Sequence, residues 1–306
     1  MKPCFNYKNE KRERKGINAS DYGSLGINVI LALKGEEVTN PDEWNDTLRM
    51  AAGKGVELQM IKILKENEVV EQDFDQEKEP TTEIERLGVP IRMRFDAVVK
   101  KGGATLKTND LTLPETHEIT LGEGEPIEIK SINNANSFDI AKYSDNKPRE
   151  NYVGQLAIYM DALGKDTGHL FVSAINGLNF FWFVCKKIEE GKYQCGDTVV
   201  DLNKEYARFA EIWKAKDKPL AELTDYWDEE KYKIPLEEID WTQLSVSKIG
   251  DVRNGRFVVG SENKWKIDYS QWKNLILKMQ GVEAGYSDEE LAIIRVKTAG
   301  FSSKKK

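Results

Sequence analysis

The chain has 306 residues, of which 40% are hydrophobic and 32% charged, with a formal net charge of −7. That length serves one large domain with additions, or two domains, and the composition fits a globular protein with a well-charged surface. No apolar run approaches the roughly 20 residues of a membrane span, and the acidic balance argues against a uniformly basic nucleic-acid coat.

Residues 1–16 read as a flexible basic lead-in. The opening "MKPCFNYKNEKRERKG" is charged and lacks the apolar stretch of a secretory signal. The three cysteines, Cys4, Cys185 and Cys195, form no C-x-x-C pair and no zinc pattern. A reducing, cytoplasmic location is therefore expected. Cys185 and Cys195 either face each other across a hairpin or stand as separate free thiols.

In "INASDYGSLG", Ser20 offers an N-cap before a short helix. The segment "NPDEWNDTLRMAAGKGVELQMIKILKEN" reads as a helix capped by Asn40 or Asp42. Its apolar stripe is Val56, Met60, Ile63 and Leu64, with Glu57 beside it. "IERLGVPIRMRFDAVVKKGG" reads as two short strands or one bent strand, ended by Gly102-Gly103. Residues 104–125 read as a hairpin or loop excursion. "PIEIKSIN" is a strand, and "SFDIAKYSDNKPRE" reads as irregular because Pro148 limits helix there. "ENYVGQLAIYMDALGK" has a helical apolar stripe of Val153, Leu156, Ala157, Met160 and Leu163. "HLFVSAI" and "FFWFVCKKI" form a hairpin across "NGLN". "KYQCGDTVVDL" is a further strand, leading into a helix from about Asn203 to Lys216.

The order of helices and strands predicts an α/β (α+β) fold, a central mixed sheet flanked by helices. A core over 17–235 is followed by a small C-terminal module, 236–306. From Trp241 onward the chain has 12 Lys and Arg against 7 Asp and Glu, so this module is basic, and such a local surface can grip DNA on an acidic protein. It carries a hairpin turn at Asn254-Gly255, two capped helices in "DYSQWKNLILKMQG" and "SDEELAIIRVKTAG", and a disordered "SSKKK" tail. Trp241, Trp265 and Trp272 read as core. His117 and His169 have no ligand-like partners and read as structural or surface groups.

Three positions stand out chemically. In Pro126-Ile127-Glu128-Ile129-Lys130, residues two apart share a strand face, so Glu128 and Lys130 lie together opposite Ile127 and Ile129. The pair is either a solvated ion pair or part of a metal-dependent site. Asp96 is a lone acid in the β-prone run Arg94-Phe95-Asp96-Ala97-Val98-Val99, where propensity disfavours it. It sits at a strand end, pairs with Arg92 or Arg94, or binds something. Gln155 and Tyr159, four residues apart, stack on one face of an otherwise apolar helix.

In this order, the three pieces resemble the PD-(D/E)XK nuclease superfamily, in its RecB-like branch and near the phage recombination exonucleases similar to lambda exonuclease. Asp96 matches the first acid, although Phe95 stands where the family has Pro. Glu128-Ile129-Lys130 matches the E-x-K strand, and Gln155 to Tyr159 the Q-x-x-x-Y helix. "GKGVELQMI" matches the opening helix, with Glu57 where many members have His. The resemblance covers roughly residues 17–216 and implies a restriction-endonuclease-like core. It implies a DNA nuclease, an exonuclease hydrolysing phosphodiester bonds at DNA ends in recombination, repair or phage DNA processing.

The implied cofactor is Mg²⁺ or Mn²⁺, held by Asp96, Glu128, the Ile129 carbonyl and Glu57, as hard cations prefer oxygen. Lys130 would orient the attacking water or stabilise developing charge. Gln155 and Tyr159 would position the backbone or the water, with Tyr159 able to stack on a base. Arg149 is a candidate phosphate contact. Iron–sulphur relatives use four flanking cysteines, so no iron–sulphur cluster is expected. No G-x-x-x-x-G-K-[ST] motor motif is present, so the nuclease stands alone or works with a helicase or single-strand annealing partner. A homo-oligomer is open, and no membrane partner is expected. The competing readings are a non-catalytic nucleic-acid binding or assembly protein on the same fold, and an endonuclease or RNA nuclease.

Overall fold

The computed structural model describes residues 14–40, 44–75, 82–108, 117–132, 137–174, 180–223, 236–238, 241, 270–279 and 287–299. The lead-in before residue 14, the Asn254-Gly255 hairpin, Trp265 and the "SSKKK" tail lie outside them. The fold is mixed α and β, as the element order predicts. No helix among the described residues is long and apolar enough to cross a membrane.

The chain divides into two compact units. One comprises Lys15–Gly23 and Asp42–Trp213, and it contains the sheet. Its strands are β1 (Ile17–Asn18), β2 (Thr82–Arg86), β3 (Val89–Met93), β4 (Ala97–Val98), β5 (Ala104–Thr108), β6 (His117–Leu121), β7 (Pro126–Ile132), β8 (Thr167–Ala174), β9 (Phe180–Glu189), β10 (Lys192–Cys195) and β11 (Thr198–Asp201). Six of them form the main sheet in the order β11-β10-β9-β8-β7-β4. Only β7 and β8 run parallel in it. Parallel neighbours need a crossover, and the chain between them supplies two helices, α3 (Ser137–Ser144) and α4 (Glu150–Leu163). β1, β3 and β2 form a second small sheet, and β5 and β6 a two-stranded ribbon.

Helix α2 (Trp44–Glu66) covers the face of β7 that carries Ile127 and Ile129. These two pack with Ile61, Leu64, Val69, Val70, Ala97, Val99, Leu121 and Phe171 in one apolar cluster. The packed stripe of α2 is Met60, Ile61 and Leu64, whereas Ile63, expected on it, is exposed. The opposite face of the sheet takes α4. Gly168 of β8 lies so close to it that a Cβ there would sit 2.9 Å from Met160 and 3.1 Å from Leu156. α5 (Leu202–Ala215) follows β11.

Several local expectations change. α3 is a regular helix, because Pro148 lies four residues beyond its end and costs it no hydrogen bond. "KYQCGDTVVDL" is two strands, β10 and β11, turned at Gly196 with φ 55°. In the first turn, Asn18 rather than Ser20 leads: its N–H donates to Asp21 Oδ2 at 2.9 Å. Cys185 and Cys195 do face each other, as register partners on β9 and β10, and both are buried.

The other unit takes in Ser24–Pro41 and the described part of Lys214–Lys306. Here α1 (Gly26–Lys34) and the stretch Glu36–Asn40 meet the segment 270–279, which contains α6 (Lys273–Met279). Trp272 Nε1 donates to the Glu36 carbonyl at 3.2 Å, and Ser270 Oγ donates to Asn28 Oδ1 at 2.7 Å. Asn40, expected to cap the following helix, accepts the Asn274 N–H of α6 at 2.8 Å. α7 (Asp288–Thr298) begins with a reciprocal Ser287/Glu290 capping box, and its Ile294 packs with Leu236, Trp241 and Leu291.

Two packing details give tests. Gly154, in the first turns of α4, lies against Tyr22, and a Cβ there would meet the ring at 2.3 Å. Gly154→Ala is expected to cost about 1–3 kcal/mol, read as a lower denaturation midpoint at unchanged m-value, and partly recovered in Gly154→Ala/Tyr22→Leu. No loss would mean that the ring moves aside freely.

Buried His169 on β8 holds β9 and the β6–β7 turn together. The Trp182 indole, which can only donate, gives its N–H to His169 Nδ1 at 3.3 Å. The proton therefore sits on Nε2, which donates to Glu125 Oε2 at 2.7 Å. Burial holds the imidazole below its ordinary 6.5, against the pull of Glu125. Between that folded value and 6.5 the unfolded chain binds the extra proton. The stability from neutral His169 is thus present above 6.5 and lost as pH falls through its folded value. Urea unfolding across about pH 7.5 to about pH 5 is expected to fall more steeply for wild type than for His169→Gln. Parallel profiles would rule out a His169 held neutral.

Candidate functional site

Strand β7 brings Glu128 and Lys130 to the face beneath α4, as its two-residue period requires. Glu128 is 0% exposed, and Lys130 keeps 24% of its side chain accessible. The Lys130 ammonium is in ion-pair contact with Glu128 Oε1, so the solvated ion-pair reading is set aside by burial. Its Nζ also donates to Gln155 Oε1 of α4 at 3.1 Å. Both Glu128 oxygens are shut off from water, with the Lys130 ammonium and the Asp96 carboxyl as their polar neighbours.

Asp96 sits one residue before β4, where the short β4–β7 ladder of Ala97↔Ile127 and Val98↔Pro126 ends. Just past that end, its Oδ2 accepts the Ile129 N–H at 2.8 Å. The carboxylate thus replaces the missing strand partner and stands beside Glu128. The cation acting on Asp96 is Lys130, while Arg92 forms an ion pair at 3.8 Å with Glu83.

Gln155 and Tyr159 are both buried, at 8% and 2% exposure. Gln155 Nε2 donates to the Tyr159 hydroxyl at 2.6 Å, and that hydroxyl donates to the Arg94 carbonyl at 2.9 Å. This orients the amide so that its oxygen meets Lys130. The Tyr159 ring packs edge-on against Phe95, centroids 4.9 Å apart. Base stacking by Tyr159 is therefore corrected: its faces are enclosed, and the residue holds Gln155. Burial likewise makes Gln155 a support for Lys130.

Glu57 lies on the packed side of α2, within an ion pair of 3.3 Å to Lys54, and its charge acts on both Asp96 and Glu128. Arg149 is exposed at the N-cap of α4, with Nη1 3.5 Å from the Tyr152 hydroxyl. Tyr152 and Lys54 were not singled out from sequence. Tyr152 carried a signal, since it lies three residues before Gln155 and three after Arg149, on one helical stripe. Lys54, three residues before Glu57, lies one turn away from it.

The electrostatics follow from burial. Loss of water pushes the Asp96 carboxyl well above the usual range, helped by Glu128 and Glu57 and opposed by Lys130 and the Ile129 N–H. Glu128 is also raised by burial, against the pull of Lys130. Burial draws the Lys130 ammonium down, but Glu128 and Asp96 more than offset this and push it up to about 12. The Tyr159 phenol is raised by burial and by both carboxylates.

Among the described residues, no three His, Cys, Asp or Glu side chains converge into a ready-made metal cage. Lys130 instead neutralises the acidic centre. Carboxylates held this far from water are costly when charged, and two of them side by side with raised pKa invite a further cation. In donor chemistry, Asp96, Glu128, Glu57 and the Ile129 carbonyl fit a hard divalent ion.

Glu128 is the main carboxylate facing the Lys130 ammonium, so removing its charge leaves that ammonium largely buried without its partner. In metal-free protein, Glu128→Gln is expected to lower the unfolding temperature by about 3–6 °C at neutral pH. An unchanged or raised unfolding temperature would show that Asp96 alone balances Lys130.

No family model and no curated protein matches the chain. It is similar to a solved structure described as "Crystal structure of SSO0001", at 15% identity over 67% of this chain and 76% of that one, with a TM-score of 0.37.

Proposed function

We propose that this chain is a metal-dependent deoxyribonuclease of the PD-(D/E)XK superfamily, in its RecB-like branch, acting as an exonuclease at DNA ends. The observation that carries the reading is the buried Glu128–Lys130 pair on one strand face, with Asp96 beside it at the strand edge. A binding role alone gives no reason to bury Glu128 fully against an ammonium with the half-buried Asp96 carboxylate beside it.

Asp96, Glu128, the Ile129 carbonyl and Glu57 would hold Mg²⁺ or Mn²⁺, which when bound supplies charge relief on the phosphate and a water of lowered pKa. Lys130, in contact with Glu128 on the same strand face, would orient the attacking water or stabilise the developing charge on the phosphate oxygens. Gln155 keeps Nζ from turning away, and Tyr159 keeps Gln155 in the orientation that presents its oxygen. Arg149, exposed at the start of α4, is suited to a backbone phosphate. Recombination, repair or phage DNA processing is the setting that fits such an activity, in the cytoplasm, with a helicase or annealing partner as a further expectation.

The test is cleavage of end-labelled linear DNA and of circles, single- and double-stranded, with Mg²⁺ and with Mn²⁺. Wild type is expected to shorten linear DNA, and Lys130→Ala to lose at least about 100-fold in rate. Cleaved circles would make it an endonuclease. No cleavage with either metal, or equal cleavage by Lys130→Ala, would leave the non-catalytic binding protein as the better reading.

A further inference from the structure

Arg149, Tyr152, Gln155 and Tyr159 are spaced three, three and four residues apart, so they follow one stripe of α4. The stripe runs from exposed Arg149, through half-buried Tyr152, to buried Gln155 and Tyr159. The two inner residues hold Lys130 through the Gln155 amide. The outer two meet it at Tyr152. The Lys130 ammonium lies 5.4 Å from the Tyr152 ring centroid, and the Arg149 guanidinium carbon 5.6 Å from the same centroid. One ring is thus shared by two cations of different exposure.

An ammonium has three donors. Glu128 and Gln155 engage Lys130 from the inner side. The long aliphatic stem otherwise leaves the head free to swing toward water, since a lysine ammonium is strongly hydrated. Tyr152 stands on that outer side. Its π face attracts a cation within about 6 Å, and the partial burial of the pair strengthens the attraction. The same ring gives Arg149 a fixed seat at the accessible end of the stripe.

Resting on the nuclease reading, we propose that Tyr152 is a positioning residue: its ring seats the Lys130 ammonium beside Glu128, and with Arg149 it forms the outer track along which the phosphodiester backbone reaches Lys130. Tyr152 acts on the reaction through Lys130, and Arg149 through the substrate.

The experiment compares Tyr152→Phe, Tyr152→Leu and Arg149→Gln in steady-state cleavage of linear DNA. Tyr152→Leu is expected to lower kcat about 10-fold with KM within about 2-fold, because the cation–π seat is lost. Tyr152→Phe keeps the ring and recovers kcat to within about 3-fold of wild type. Arg149→Gln raises KM about 10-fold, as a lost phosphate contact does, with kcat within about 3-fold. Equal losses in Phe and Leu would overturn the role of the ring. A change in KM alone for Tyr152→Leu would make the ring a substrate contact instead.

A second readout needs no activity. In metal-free protein labelled at lysine Cε, the Lys130 methylene signal, assigned by its loss in Lys130→Arg, is expected to carry a ring-current shift in wild type and Tyr152→Phe. It should move toward the other lysines in Tyr152→Leu. An unmoved signal overturns the proposal whatever the cleavage result. A wild type that shows the shift but cuts no DNA overturns the nuclease reading and this role with it, while the ring–ammonium geometry stands.

Discussion

The centre of the structure depends on how one strand face accommodates a fully buried carboxylate against a partly buried ammonium. Glu128 and Lys130 neutralise each other, but a pair in this position is unstable unless its remaining polar atoms are directed. The direction comes from a short relay. The Arg94 carbonyl accepts from Tyr159, Tyr159 accepts from the Gln155 amide, and the Gln155 oxygen accepts from Lys130. Turning the amide round would set its NH₂ group against the ammonium, so one orientation is enforced from end to end. The relay also ties the segment before β4 to α4, which fixes both sides of the site with the same groups.

The reverse face of the same strand does the stabilising. Ile127 and Ile129 are locked among Ile61, Leu64, Val99 and Phe171, and that burial, at about 25 cal/mol per Å² of apolar surface, is what holds the register. A one-residue slip of β7 would bury both charges in the apolar cluster and turn the isoleucines toward α4. The apolar face therefore specifies the polar one. Asp96 completes this division of labour: β4 pairs with β7 over two residues only, and where the ladder stops the Asp96 carboxylate takes the next N–H. An irregularity in the sheet edge becomes the place where a second acid approaches the first.

Much of this was legible in the sequence, for specific reasons. The period of two in "PIEIK" is enough to pair Glu128 with Lys130, and the lone acid in "RFDAVV" conflicts with its surroundings in a way that demands a strand end. The i, i+4 spacing of Gln155 and Tyr159 is enough to stack them. What it cannot give is depth. Whether Tyr159 presents a free ring or an enclosed one depends on Phe95, a residue on a different element. The stripe of α2 falls on Ile61 where periodicity alone points to Ile63, because "MIKIL" offers several apolar faces and only the position of β7 selects one. The turn in "KYQCGDTVVDL" had a local signal in Gly196-Asp197 that a continuous β-prone run concealed. Tyr152 does not stand out in the sequence, because an aromatic at the start of an amphipathic helix reads first as packing.

The β5–β6 ribbon separates β4 from β7 in the chain, and α3 with α4 separates β7 from β8. Asp96, Glu128 and Gln155 are therefore brought together by pairings between distant segments, which form late relative to local helices and hairpins. Asp96 and Glu128 meet only once β4 has paired with β7, and Gln155 reaches Lys130 only once α4 lies on that strand. The acidic centre is consequently a property of the assembled layers, and a locally opened molecule carries the residues without the site.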